Sequence, residues 1–286
     1  MKVGVVGAGT MGAGIAQTFA TAGFDVTLVD VGQAQLDRGM KTIQASLAKL
    51  EEKKKLPGPA GEIVGRITST TDVAALGDAG LVVEAAFEDP TLKADLFEKL
   101  DQIAPRGVIL ASNTSSISID SLASRTRRPD RVAGMHFMNP VPIMALVEVV
   151  RGPRTSAETL GAILDLARRL GKTPVVSADR PGFIANRILM PMINEAFRAL
   201  EEGVGSATDI DTVMTLGMNH PIGPLRLADL IGLDVCVAIM QVLERDLGQA
   251  KYAPAKNLQE LVRAGRLGRK SGEGVYSYAG EASVKA

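Results

Sequence analysis

The chain has 286 residues, 46% of them hydrophobic, with 3% aromatics, no tryptophan and one cysteine. That length suits two domains rather than one, and the apolar fraction is enough to bury sizeable aliphatic cores. Lys plus Arg is 32 and Asp plus Glu is 32, so the net charge is zero, which argues against a nucleic-acid or membrane-surface binder that would need a basic excess.

Lys2–Gly7 is a short apolar run ending in glycines. A strand that begins almost at Met1 predicts no signal peptide. No apolar run approaches the ~18–20 residues that span a bilayer. With Cys236 alone, neither an intramolecular disulfide nor a cysteine metal site can form. A cytoplasmic, reducing compartment and no bound metal are the expectation.

Strand-like and helix-like stretches then alternate. Ala13–Ala22 has helical spacing, Asp25–Asp30 is a second apolar run, and Gln33–Lys55 reads as a long helix with Leu36, Met40, Ile43, Leu47 and Leu50 three and four apart. Pro57, Gly58, Pro59 and Gly61 end it. Leu81–Ala85, Val108–Ala111 and Arg131–Met135 are further strand-like runs, and Thr91–Ile103 is a helix between two of them. The alternation predicts an α/β, mainly parallel Rossmann-type sheet domain over residues 1–181. Beyond Pro181, Gly182–Glu202, Thr208–Leu216, Ile222–Leu230 and Leu233–Leu247 read as helices, with Gly274–Tyr278 the one strand candidate. An all-α domain over 182–286 follows.

Gly7-Ala8-Gly9-Thr10-Met11-Gly12 is a G-x-G-x-x-G turn placed between a strand and a helix. The first glycine permits the tight turn, the second lets backbone approach a pyrophosphate, and the third lets helix and strand pack closely. The helix N-terminus supplies free N–H groups to the phosphates. Asp30, at the end of the second strand, suits the ribose hydroxyls and would repel a 2′-phosphate. NAD is therefore expected rather than NADP.

Alcohol oxidation needs a group that takes the hydroxyl proton as hydride leaves, and histidine suits neutral pH. Of the two histidines, His136 ends an apolar run at the carboxyl edge of the sheet, where open α/β folds bind ligands. His220 lies in a turn-rich connection and reads as a surface residue. A satisfied core histidine would look the same as His136. Glu148, inside Ala145–Val150, is costly in an apolar strand unless paired. It either orients His136 or faces water on an amphipathic strand. Ser112–Ser116 and Asn186 could hold substrate or could be ordinary caps.

Taken together, these residues carry a wider pattern. Besides the glycine turn, the chain has Val83-Glu84-Ala85 with Glu88 and Lys93, then Ser112–Ser116, His136-Phe137-Met138-Asn139-Pro140 and Leu146-Val147-Glu148-Val149. It continues with Asp179-Arg180-Pro181-Gly182-Phe183-Ile184-Ala185-Asn186-Arg187, Gly223-Pro224 and Gly272-Glu273-Gly274-Val275-Tyr276. Over nearly its whole length it resembles the L-3-hydroxyacyl-CoA dehydrogenase family in its short, single-function form. The resemblance implies reversible NAD-dependent oxidation of (S)-3-hydroxyacyl-CoA. It makes His136 the base, oriented by Glu148, and puts Ser115 at the substrate oxygen, with Asn186 helping to hold substrate. It places Glu88, Lys93, Ser115 and Asn139 along the nicotinamide–ribose side of the cofactor cleft, and Ser46 and Lys53 against coenzyme A. It also implies a homodimer formed through the helical domain.

Three departures stand out. Ala145 replaces a frequent lysine, Val275 replaces a frequent aromatic, and the connection around Pro57–Gly61 is proline-rich. Two rival readings use the same residues. A gulonate-type sugar-acid dehydrogenase would have no use for the Lys53 patch. A non-catalytic NAD-binding structural protein would lose the His136–Glu148 pair.

Overall fold

The computed structural model describes residues 1–278. They form two compact units, Met1–Arg180 and a second beginning at Pro181.

The first unit is built on eight strands: β1 (Lys2–Val6), β2 (Asp25–Val29), β3 (Ile67–Thr70), β4 (Leu81–Glu84), β5 (Ile109–Ser112), β6 (Val132–Phe137), β7 (Leu146–Arg151) and β8 (Thr173–Ala178). Their order in the sheet is β3-β2-β1-β4-β5-β6-β7-β8. The strands from β3 through β6 are parallel, β7 runs antiparallel to β6, and β8 is parallel to β7. The chain winds outward from β1 first to one side and then to the other. The carboxyl ends of β1 and β4 therefore flank the crevice where such sheets bind ligands.

Burial explains the strand sequences. Every residue of β4 and β6 is buried, as continuous apolar runs in a sheet covered on both faces require. The covering helices are α1 (Thr10–Thr21), α2 (Gln33–Glu52), α3 (Ala60–Val64), α4 (Pro90–Ile103), α5 (Ile119–Ala123) and α6 (Ala157–Arg169). Ile15 and Phe19 of α1, Leu36, Ile43 and Leu47 of α2, and Met135 and Phe137 of β6 share one core. Asp89 and Ser156 cap α4 and α6 by accepting N–H bonds from Leu92 and Thr159.

The second unit contains α7 (Ala185–Glu201), α8 (Ala207–Thr212), α9 (Pro224–Ile231), α10 (Leu233–Leu247) and α11 (Lys256–Arg263). Phe197, Leu225, Leu233, Ile239, Met240 and Leu258 are among its core residues. The Asn194 side chain ties α7 to the segment before α11. It donates to the Ala253 carbonyl and accepts from the Ala255 N–H. Among the described residues, no helix is long and apolar enough to cross a membrane.

The structure departs from the sequence expectations at several places: the helix expected from Gly182 starts only at Ala185, because Gly182 and Phe183 take φ of 76° and 50°. The long second helix stops at Glu52 rather than Lys55, because Lys54 turns to a left-handed φ of 52°. The helix expected over Thr208–Leu216 keeps α geometry only to Thr212 and widens to a π-turn over Val213–Gly217. There the Thr215 hydroxyl donates to the Asp211 carbonyl and competes for the backbone acceptor. The strand candidate Gly274–Tyr278 forms only isolated bridges. The N–H groups of Val275 and Tyr276 are taken by the two Asp229 oxygens, at 2.9 and 3.0 Å, instead of by a strand.

Candidate active site

Four loops leave the carboxyl edge of the sheet side by side, after β1, β4, β5 and β6. The first is the glycine turn. Gly7 has φ 102°, and a Cβ there would meet the Ala85 carbonyl oxygen at 2.5 Å. A Cβ on Gly12 would overlap the Gly7 carbonyl oxygen. Both positions are closed to side chains by packing. Gly9 is different: nothing lies within 4 Å of where its Cβ would be, and no side chain caps α1. Its openness leaves the turn and the first-turn positions Thr10 and Met11 accessible to a phosphate group. Asp30 closes the arrangement by accepting the Ala8 N–H at 2.7 Å. A dinucleotide therefore fits the residues present: open backbone at Gly9, a helix N-terminus behind it, and a half-buried carboxylate where the ribose would lie.

The loops after β4 and β5 are locked together by two glutamates. Glu84 ends β4 and is fully buried. It accepts from Lys93 Nζ at 2.6 Å, Ser112 Oγ at 2.6 Å and the Ala86 N–H at 2.7 Å. The Lys93 ammonium, 1% exposed, reaches Glu88 at 3.2 Å and donates to the Ala86 carbonyl. One Glu88 oxygen accepts from Thr114 Oγ1 at 2.6 Å and from the Ser115 and Ser116 N–H groups at 2.9 and 3.2 Å. Burial pushes the Glu88 carboxyl up, but the Lys93 charge and these hydrogen bonds outweigh it and hold the group below its usual range. The carboxylate thus fixes the loop that carries Ser115.

The fourth loop follows β6. His136 and Glu148 are directly opposite each other in the antiparallel β6–β7 pair, so their side chains share one face. His136 Nδ1 stands 3.0 Å from Glu148 Oε2, and both residues are buried. An ionised carboxylate can only accept, so the neutral imidazole carries its proton on Nδ1 and leaves the Nε2 lone pair for another partner. Asn113 aligns this strand with its neighbour: its Oδ1 accepts the Phe137 N–H at 2.9 Å, and its own N–H donates to the Glu84 carbonyl. Asn139 is exposed two residues past the end of β6.

The structure therefore brings together Gly7, Gly9, Gly12 and Asp30, then Glu88, Lys93 and Ser115, and then His136 with Glu148. Ser46 and Lys53 sit apart on α2, with Lys53 as its C-cap. They are seven positions apart, about two helical turns, so they lie on one face. Asn186 belongs to the second unit, near the start of α7. His220 is half-buried, and its N–H donates to the Met214 carbonyl. Sequence reasoning named Glu84 only within the Val83–Ala85 motif and Asn113 only within the Ser112–Ser116 cluster, and gave neither a role of its own. The signal for Glu84 was present: an acid closing the apolar run Leu81-Val82-Val83 must be paired if buried.

The chain matches two halves of one family. Residues 2–180 match the 3-hydroxyacyl-CoA dehydrogenase NAD binding domain, and residues 182–278 match the 3-hydroxyacyl-CoA dehydrogenase C-terminal domain. A probable 3-hydroxybutyryl-CoA dehydrogenase of Deinococcus radiodurans is 55% identical over 97% of this chain and 100% of its own length. The 3-hydroxybutyryl-CoA dehydrogenase of Clostridioides difficile is 48% identical, over 97% and 99%. The crystal structure of the (S)-3-hydroxybutyryl-CoA dehydrogenase of Ralstonia eutropha superposes with a TM-score of 0.93 at 50% identity, covering 97% of this chain and 98% of that one. With both halves matched in order and relatives this similar from end to end, the chain belongs to the 3-hydroxyacyl-CoA dehydrogenase family.

Proposed function

We propose that the protein interconverts (S)-3-hydroxyacyl-CoA and 3-ketoacyl-CoA with NAD, 3-hydroxybutyryl-CoA being the substrate its relatives' names point to. The observation that carries the reading is the 3.0 Å His136–Glu148 contact at the same sheet edge as the glycine turn. When bound, the nicotinamide ring supplies the acceptor for the hydride that leaves C3. His136 Nε2 takes the proton of the 3-hydroxyl group, and Glu148 stabilises the imidazolium so formed. In the reverse direction the imidazolium returns that proton to the ketone oxygen. Ser115, fixed by Glu88, positions the substrate oxygen, and Asn186 helps to hold the substrate. Gly7, Gly9, Thr10, Met11, Gly12 and Asp30 hold the dinucleotide, with Glu88, Lys93 and Asn139 on its nicotinamide side. Lys93 acts there from behind, since its ammonium is enclosed by Glu84, Glu88 and the Ala86 carbonyl.

Ser46 and Lys53 receive the coenzyme A handle. The unit over 1–181 binds NAD, and that over 182–286 serves substrate binding and joins two copies. Exposed Val204, Val213, Leu216 and Met218 support that dimer, because such apolar surface is normally covered. A cytoplasmic location fits the lone, buried Cys236.

The test is NADH oxidation with acetoacetyl-CoA against a sugar ketoacid. Turnover with the thioester alone is expected. Preference for the sugar acid would overturn the assignment, and a single-copy mass in light scattering would overturn the dimer.

A further inference from the structure

Residues 113–118, between β5 and α5, carry Ser115 and have neither helix nor strand geometry. Side chains therefore satisfy much of their backbone. At one end Glu88 takes the Ser115 and Ser116 N–H groups, and Thr114 Oγ1 takes that of Ile117. At the other end a second carboxylate does the same work. Asp179 accepts from Ser118 Oγ at 2.9 Å and from the Ile119 and Asp120 N–H groups at 3.0 and 2.8 Å.

The two carboxylates come from opposite edges of the sheet. Glu88 follows β4, at the carboxyl edge. Asp179 opens the motif that runs to Arg187, yet it lies in the first unit, one residue past β8. Because β7 is antiparallel to β6 and β8 is parallel to β7, β8 ends at the other edge. The segment thus runs alongside β6 and is held at both ends.

It runs along the face that carries the proton-transfer pair. Met135 and Phe137 lie in the core with α1. By strand alternation His136 and the bare Gly134 position face the other way. A Cβ on Gly134 would meet Ile119 Cδ1 at 3.2 Å and Val150 Cβ at 2.6 Å. The missing side chain lets the fully buried Ile119 lie against β6. Gly134 pairs with Val150 as His136 pairs with Glu148, one step further along the same ladder. Ile119, the residue packed there, is also the one whose N–H Asp179 holds.

We propose that Asp179 is a positioning residue for proton transfer: from the far edge of the sheet it fixes where Ser115 stands along the His136–Glu148 face. The proposal rests on the acyl-CoA reading above. Hydrogen bonds to an ionised carboxylate are roughly twice as strong as neutral ones, and a misplacement of about 1 Å far from the chemistry can cost about 10²-fold in rate.

The test is a double-mutant cycle of Asp179→Asn with Ser115→Ala, read as kcat/KM for acetoacetyl-CoA beside KM for NADH. The asparagine replaces one acceptor oxygen by a donor and cannot keep all three bonds. In the parent background it should lower kcat/KM for the thioester by about tenfold to 10²-fold, with KM for NADH unchanged. In Ser115→Ala it should have almost no further effect, because the group it positions is already gone. Equal losses in both backgrounds, as a general weakening of the fold would give, overturn the proposal. If Asp179→Asn does not fold, Ser118→Ala, which removes one of the three bonds, should show a smaller loss with the same dependence on Ser115.

Hydrogen–deuterium exchange supplies a readout without turnover. Peptides covering 114–120 should exchange faster in Asp179→Asn, while the rest of the first unit keeps the parental rate. Unchanged exchange there also overturns the proposal. A parent protein that does not reduce acetoacetyl-CoA would instead sink the activity assignment and leave the exchange result standing, so the two failures are distinguishable.

Discussion

His136 Nδ1 lies 3.0 Å from Glu148 Oε2 because the two residues face each other across the antiparallel step in an otherwise largely parallel sheet. Strand pairing, rather than a flexible loop, sets the distance. In the proposed function the buried carboxylate holds one tautomer of the ring and stabilises the imidazolium formed in proton transfer. Glu148→Gln keeps the shape but loses the charge. The expected result is a fall in kcat of about 10²-fold or more with little change in NAD affinity. Steady-state kinetics beside a cofactor titration checks it, and an unchanged kcat would separate Glu148 from the chemistry.

The two kinds of glycine in the dinucleotide turn should respond oppositely. At Gly12 a Cβ overlaps the Gly7 carbonyl, whereas at Gly9 it meets nothing within 4 Å. Gly12→Ala should lower the melting temperature and abolish NAD binding together. Gly9→Ala should melt like the parent yet bind NAD more weakly, because the methyl group occupies the approach of the pyrophosphate. Differential scanning calorimetry with and without NAD distinguishes the two.

Asp30 holds the Ala8 N–H, and in the proposed function its charge also sets cofactor choice. Asp30→Ser should raise KM for NAD and lower the preference for NAD over NADP, since the charge that repels a 2′-phosphate is gone. A preference ratio that does not change would place cofactor selection elsewhere.

Acid should loosen the Ser115 loop through Glu88. Its folded-state pKa is lowered, so its contribution to stability is complete above the unfolded value of about 4.3. That contribution is lost as pH falls through the lower folded value. Below the ordinary glutamate range the melting temperature of the parent should drop more steeply than that of Glu88→Gln. Parallel slopes would remove Glu88 from the acid response.

Cys236 should be inert in the native protein. Burial, reinforced by the charges of Asp234 and Asp229, pushes its thiol up to about 12. A thiol reagent at pH 8 should label it only after unfolding. Stoichiometric native labelling would contradict its burial.

The sequence disclosed much of this site because its key residues break local rules. Glu148 stands out as a charge inside an apolar strand, and Gly7, Gly9 and Gly12 stand out between a strand and a helix. Glu84 breaks the same rule as Glu148, but its partners, Lys93 and Ser112, come from two other elements and leave no local sign of the pairing. β8 gave little signal: it lies at the sheet edge, contains Pro174, and leaves Val175 and Val176 partly exposed. Gly274–Tyr278 misled because alternation of residue type cannot show that a distant carboxylate, Asp229, will claim the backbone donors.

The most direct test of the central claim is single-turnover NADH oxidation with acetoacetyl-CoA by the parent protein and by His136→Gln, with NADH binding measured in the same samples. The expected result is rapid oxidation by the parent, and a loss of about 10²–10⁴-fold in the variant with nearly unchanged NADH affinity. A variant that turns over at the parental rate would contradict the assignment of His136 as the proton-transfer residue.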